Sequence, residues 1–75
     1  MTTVEALEQA TRHVRAWLAM HAIVGYPRAR AAAVLAAAFL TDPRLSLGDV
    51  EAVLSEQAAR HISRMEERIA LETEQ

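Results

Sequence analysis

The stretch Pro27–Thr41, with the sequence PRARAAAVLAAAFLT, decides the fold of this 75-residue chain. Beyond Arg28 and Arg30 it has no charged or polar residue until Thr41. Alanine is the best helix former, and proline suits the first turn of a helix. The stretch therefore predicts a helix over residues 27–41. Because a helix that is apolar on every side must be covered on every side, we expect this one at the centre of a helical assembly.

A first helix is predicted upstream of this stretch, over residues 3–24. Thr2 and Glu5 have the spacing of a capping box, which starts a helix near residue 3. Apolar positions then recur three and four residues apart and form a stripe that Ala10 and Trp17 widen: Val4, Leu7, Thr11, Val14, Leu18 and His21. Gly25 suits the left-handed position just past a helix, so we expect it to end this one and to form a hairpin with the next.

A third, longer helix is predicted downstream, over residues 47–71. Pro43 disfavours helical geometry at Asp42 and marks a turn. Ser46 and Asp49 then have the spacing of a helix start. A helical stripe follows without a break: Leu47, Val50, Leu54, Ala58, Ile62, Met65 and Ile69.

Composition agrees with a single all-α domain over residues 1–75. Apolar residues make up 52% of the chain, and with only 2 Gly and 2 Pro, β-rich architectures and glycine-rich phosphate loops are disfavoured. The absence of cysteine excludes disulfides, thiolate metal sites and thiol enzymes. We predict a three-helix unit, which is a helical hairpin plus a longer C-terminal helix.

The uniformly apolar second helix also predicts self-association. Two neighbouring helices cover only part of its circumference, and a second copy of the chain is the commonest way to cover the rest, as a two-fold dimer. We expect a homodimer whose self-association surface is formed by Val34, Leu35, Ala38 and Phe39. The alternative is a monomer that exposes an alanine face.

No catalytic or metal-binding pattern is present, so we expect neither an enzyme nor a cofactor. His13 and His21 are too far apart to share a metal ion, and no HExxH motif occurs. No GxSxG elbow surrounds a serine. His21 and His61 fall on or beside apolar stripes and are expected to be partly buried, hydrogen-bonded residues.

An arginine row on the third helix is the sharpest candidate site. Five residues follow one another at intervals of four: Glu56, Arg60, Arg64, Arg68 and Glu72. Arginine suits bidentate recognition of carboxylates and phosphates, so Arg60, Arg64 and Arg68 are predicted to dock an acidic protein partner or a nucleic-acid backbone. The alternative is a solvated face with the internal pairs Glu56–Arg60 and Arg64–Glu67. Trp17 is either a residue at the core edge or an anchor for a partner.

The stretch from Leu45 to Ser55, followed by Arg60 to Arg68, resembles the helix-turn-helix core of winged-helix repressors. The resemblance implies DNA binding through a recognition helix that presents a set of polar side chains to the groove: Glu56, Gln57, Arg60, His61 and Arg64. No turn separates Leu54 from Ser55, where the motif has one.

Taken together, the sequence predicts a non-catalytic protein–protein interaction module, a small regulator, adaptor or inhibitor that binds a larger protein. The alternative is a DNA-binding regulator of the helix-turn-helix kind. The net charge of −2 weighs against nucleic acid as the main partner. The longest apolar run, Ala31–Leu40, has half of the roughly 20 residues that cross a bilayer, and the N-terminus is acidic and has no signal-type apolar core. We therefore expect a cytoplasmic protein without a membrane partner.

Overall fold

The computed structural model describes residues 1–73, and this part of the chain is 81% helical and contains no strand. Three helices follow one another: α1 (Thr3–Met20), α2 (Arg28–Thr41) and α3 (Leu47–Thr73). The predicted all-α class and helix order are confirmed. No helix in the described range combines the length and the apolar character that a membrane span needs.

Helix α1 starts as the sequence predicts but ends earlier. The capping box forms, with the backbone N–H of Glu5 donating to Thr2 Oγ1 and the N–H of Thr2 donating to Glu5 Oε1, both at 3.1 Å. The helix ends at Met20 rather than residue 24, because His21 is extended. Gly25 does not terminate α1. It lies in the loop at φ +74°, in the left-handed region, where an added Cβ would be 3.3 Å from His61 Nε2.

The other two helices begin close to their predicted residues. Pro27 is the N-cap of α2 rather than its first helical residue, and no side chain caps this end. Before α3, Ser46 Oγ accepts a hydrogen bond of 3.1 Å from the N–H of Asp49, as its spacing predicts. Helix α3 then continues to Thr73, two residues past the predicted end.

The core forms where small residues let α1 and α2 approach closely. Ala6, Ala10 and Ala31 are completely buried, and α1 packs more extensively against α2 than against α3. The largest fully buried side chains are Phe39, Leu35 and Leu54, which come from α2 and α3.

The predicted stripe of α1 is therefore partly wrong. The buried face of this helix consists of Ala6, Ala10, Val14 and Trp17, whereas Val4 and Leu7 are exposed. Close packing favours the small side chains at the contact, because a shorter distance between helix axes brings more atoms into van der Waals range.

The expectation that α2 is buried on every side is also wrong. One face of α2 packs inward, and the opposite face lies open to solvent with Ala33, Val34, Ala37 and Leu40. Alanine carries little apolar surface, so an exposed alanine face costs little.

Helix α3 is covered only in its first half. Its buried residues are Val50, Leu54, Gln57 and Ala58, and every residue from Ile62 to Thr73 is exposed. We call Ile62–Thr73 the α3 overhang. Its 12 residues extend about 18 Å at 1.5 Å per residue, which accounts for much of the 49 Å longest dimension.

Candidate functional site

An open groove lies between α1 and α3, and most of the residues that line it are apolar. We call it the α1/α3 groove. It has a volume of about 220 Å³, and both helices line it: His13, Ala16, Trp17 and Met20 from α1, and Leu47, Val50, Glu51 and Leu54 from α3. The groove exists because α1 turns its small residues toward α2 and makes few contacts with α3.

The groove has a buried floor and an unusually apolar rim. Trp17, Val50 and Leu54 are buried, while Met20 and Leu47 are 82% and 76% exposed. Met20 is the last residue of α1 and Leu47 is the first residue of α3. At both positions the apolar pattern of the helix continues, but no neighbouring helix covers the side chain.

Trp17 is held in the floor by aromatic neighbours. Its ring stacks on His21 with ring centroids 4.3 Å apart and meets Tyr26 at 5.2 Å. Tyr26 is in turn anchored to α3, since its hydroxyl donates a buried hydrogen bond of 2.9 Å to the carbonyl of Leu54. Tyr26 thereby connects the loop between α1 and α2 to both helices that line the groove.

Two polar groups of this aromatic cluster are affected by burial. Burial raises the pKa of the Tyr26 phenol above its ordinary value of 10.0. The indole N–H of Trp17 is buried and has no hydrogen-bond partner within the described residues. A buried donor without a partner lowers the stability of the fold by about 1–3 kcal/mol. Packing within the chain therefore does not by itself account for a tryptophan at position 17.

The arginine row lies elsewhere on the molecule and is not brought together with Trp17. Arg60 pairs with Glu56 at 2.8 Å, as the spacing predicts, and this is the one ion pair among residues 1–73. The predicted Arg64–Glu67 pair is absent, so Arg64 and Arg68 stand in solvent on the α3 overhang. Arg64 is ten residues, or about 15 Å, past the Leu54 end of the groove.

The predicted self-association surface is divided by the fold. Leu35 and Phe39 are 0% and 2% exposed inside the chain's own core, so they are not available to a second copy that docks on this fold. That part of the prediction is wrong, because α2 turns its largest side chains toward α1 and α3. Val34 is exposed and Ala38 half-buried, and their role in self-association stays a prediction.

The histidines are used in packing. His13 stacks on Phe39 with centroids 5.6 Å apart, and His21 stacks on Trp17. His61 Nε2 lies 3.2 Å from the carbonyl of Val24 and ties α3 to the loop. Across residues 1–73, no three His, Asp or Glu side chains are grouped so that they could hold a metal ion.

The helix-turn-helix arrangement does not form in the segment that resembles it. Leu47–Thr73 is one continuous helix, so no turn separates a short helix from a recognition helix. Gln57, which the resemblance places in the DNA groove, is buried against the bundle.

No protein-family model matches this chain, and no curated protein or solved structure is detectably similar to it. Its function is therefore inferred from its own surfaces.

Proposed function

We propose that the protein is a non-catalytic interaction module that binds a larger protein through the α1/α3 groove, as a regulator, adaptor or inhibitor. The observation that carries the proposal is the exposure of Met20 and Leu47 on the two sides of an apolar floor. Covering a side chain of this size contributes about 1.5–3 kcal/mol. A partner that fills the groove covers both at once.

The occupant that fits best is the apolar face of an amphipathic helix. A groove between two helices accepts the side-chain ridge of a third helix, with anchors spaced three and four residues apart. Trp17 in the floor adds an aromatic contact of the kind that dominates many interfaces.

One acidic side chain among the lining residues narrows the chemistry of that helix. Glu51 lines the groove from α3 and makes no ion pair within the described range. Its carboxylate favours a basic residue beside the apolar face of the partner. The proposed partner is therefore a basic amphipathic helix.

The experiment is a comparative capture from the source cell with three immobilised forms of the full chain. One is the wild type, one carries Met20→Glu with Leu47→Glu, and one carries Val24→Glu. Val24 is 88% exposed outside the groove, so it controls for adding an acid at an exposed apolar position. We expect at least one protein that the wild type and Val24→Glu retain and the groove variant loses. Equal capture by all three forms contradicts the proposal.

The arginine row supports a second contact with the same partner. Arg64 and Arg68 are unpaired in the described part of the chain, and guanidinium groups bind carboxylates in bidentate fashion. Replacing Arg60, Arg64 and Arg68 with alanine is expected to weaken partner binding and to make the remaining affinity less dependent on salt. Unchanged affinity overturns this role.

DNA binding is not proposed, since the helix that resembles the motif has no turn. A gel shift with duplex DNA at low salt is the direct check, and we expect no complex. The cytoplasmic location predicted from the sequence stays a prediction that cell fractionation tests.

A further inference from the structure

The chain exposes more surface than a compact protein of its mass. Its accessible surface is 5461 Å², whereas a compact monomer of 8.3 kDa exposes about 4,600 Å². The radius of gyration is 14.2 Å against about 11 Å for a compact chain of this length. The excess, roughly 900 Å², is close to the roughly 800 Å² that each partner contributes to a stable interface of ordinary size.

Much of the elongation comes from the α3 overhang, which carries an apolar stripe. Ile62, Met65 and Ile69 lie three and four residues apart, on one side of the helix, and all are about half exposed. Glu66 follows Ile62 by four residues and Glu72 follows Ile69 by three, so an acid lies on each flank of this stripe. Arg68 follows Met65 by three residues and lies on the same flank as Glu72, so the apolar ridge has Glu66 on one edge and both Glu72 and Arg68 on the other.

A surface of complementary character lies on the outside of the hairpin, which we call the α1/α2 face. Its larger hollow, about 390 Å³, is floored by Val4, Leu7 and Thr11. A second hollow of about 230 Å³ continues it toward α2, over Ala29 and Ala32.

Basic residues border both hollows. Arg12 and Arg15 line the first, and Arg15 and Arg28 line the second. None of the three guanidinium groups is in an ion pair within residues 1–73; Glu8, four residues before Arg12, lines the first hollow without pairing. The α1/α2 face is therefore an apolar floor with a predominantly basic edge.

The two halves of the chain also differ in net charge. Residues 1–41 contain four arginines and two acids, and residues 42–75 contain four arginines and eight acids. The hairpin is thus net positive, and the part that ends in the overhang is net negative. A contact between the two parts of different copies is electrostatically favourable in either direction.

We propose that the α3 overhang of one copy docks on the α1/α2 face of a second copy, and that the second copy does the same in return. Two copies that lie antiparallel around a two-fold axis make both contacts at once, since each overhang projects past its own bundle. Ile62, Met65 and Ile69 then cover Val4 and Leu7, and the carboxylates of Glu66 and Glu72 meet Arg12 and Arg15.

Pairing of one overhang with another is the competing arrangement. It forms a single patch about 18 Å long and about 10 Å wide, set by the length and diameter of the helix. Reciprocal docking at least doubles the contact and also joins opposite charges.

Sedimentation equilibrium of the full chain at tens of micromolar tests this dimer with two matched variants. Ile69 and Leu71 are 59% and 64% exposed on the same overhang, but Leu71 lies on the other side of the helix from the stripe. We expect the wild type and Leu71→Glu to be dimeric, and Ile69→Glu to weaken the dimer by about tenfold or more. A monomeric wild type, or equal effects of the two variants, overturns the proposal.

A charge reversal distinguishes the two arrangements. Arg12→Glu with Arg15→Glu is expected to weaken the dimer about tenfold, and adding Glu66→Arg with Glu72→Arg is expected to restore part of the loss. If Ile69→Glu disrupts the dimer while the Arg12 and Arg15 variant leaves it intact, the overhangs pair with each other and the proposal is wrong. The groove variant Met20→Glu with Leu47→Glu is expected to remain dimeric, so this inference and the proposed function fail separately.

Discussion

Replacing Tyr26 with phenylalanine removes one hydroxyl from the point where the loop, α1 and α3 meet. The hydroxyl donates a buried 2.9 Å hydrogen bond to the carbonyl of Leu54, while the ring contact with Trp17 is retained in the variant. A hydrogen bond of this kind contributes about 0.5–1.5 kcal/mol net. For a domain of this size, each kcal/mol corresponds to about 4–8 °C in the melting temperature.

The dependence of folding stability on alkaline pH gives a second and more specific test of the Tyr26→Phe variant. The chain has no lysine or cysteine and a single tyrosine. Tyrosine is therefore the one side-chain type in this sequence whose ordinary pKa lies in the alkaline range near 10. Burial raises its folded pKa above 10.0, so the stabilisation is complete below the unfolded value and is lost as pH rises through the folded value.

Urea unfolding followed by circular dichroism across this alkaline range measures the effect. We expect the unfolding free energy of the wild type to fall with a slope of at most about 1.4 kcal/mol per pH unit, the limit for one proton. The Tyr26→Phe variant should be less stable at neutral pH but nearly flat across the same range. An equal alkaline slope in both proteins would refute the assignment of the buried hydroxyl.

Three further substitutions test the helix ends and the loop. Thr2→Ala should destabilise the protein by about 1 kcal/mol in urea unfolding, through loss of the N-cap. Hydrogen bonds from the Thr2 backbone N–H and then from its side chain lower the pKa of Glu5 below 4.5, so the stabilisation from these bonds is present above the unfolded pKa and is lost as pH falls through the folded value. The variant keeps the backbone donor, so its acid melts should show this loss only in reduced form. Gly25→Ala should cost about 1–2 kcal/mol, because φ is +74° and the new Cβ meets His61. Gly48→Ala, in open helical geometry, should instead stabilise by up to about 1 kcal/mol, and the same sign at both glycines contradicts the loop conformation.

Local signals were predictable from the sequence because they depend on a few neighbouring atoms. The Thr2 capping box, the Ser46 cap and the turn at Pro43 all follow from side chains within three or four residues of the backbone groups that they satisfy. The same holds for the Glu56–Arg60 pair. The third helix was predicted nearly to its last turn, since nothing in its sequence interrupts it.

Which face of a helix is buried depends on the distance between the packed helices, and the periodicity of the sequence did not predict it. Val4 and Ala6 both lie on possible apolar faces of α1, and only the close approach of an alanine-rich α2 decides that Ala6 points inward. The close packing of α1 and α2 also buries Leu35 and Phe39, which the sequence analysis had placed on the self-association surface. The loop that follows the early end of α1 is held by the Tyr26–Leu54 and His61–Val24 contacts, which join residues 28 and 37 positions apart in the sequence.

The candidate site was only partly visible in the sequence. Trp17 was a candidate, but the groove around it needs Leu47 from a helix that begins thirty residues later. The missed signal is the position of Met20 and Leu47, since each continues an apolar pattern where its helix has no further neighbour. The arginine row was read correctly as a periodic feature, yet the sequence could not show that Arg64 and Arg68 lie on an overhang.

The central claim is that a partner occupies the α1/α3 groove, and Trp17 reports on it directly. Trp17 is the only tryptophan in the chain, so labelling with 5-fluorotryptophan gives one fluorine resonance from the groove floor. The measurement is a ¹⁹F NMR titration with the protein that the wild type captures and the groove variant loses. We predict that this resonance shifts or broadens as the complex forms with the wild type and with Val24→Glu. A resonance that stays unchanged when the complex is saturated contradicts the claim.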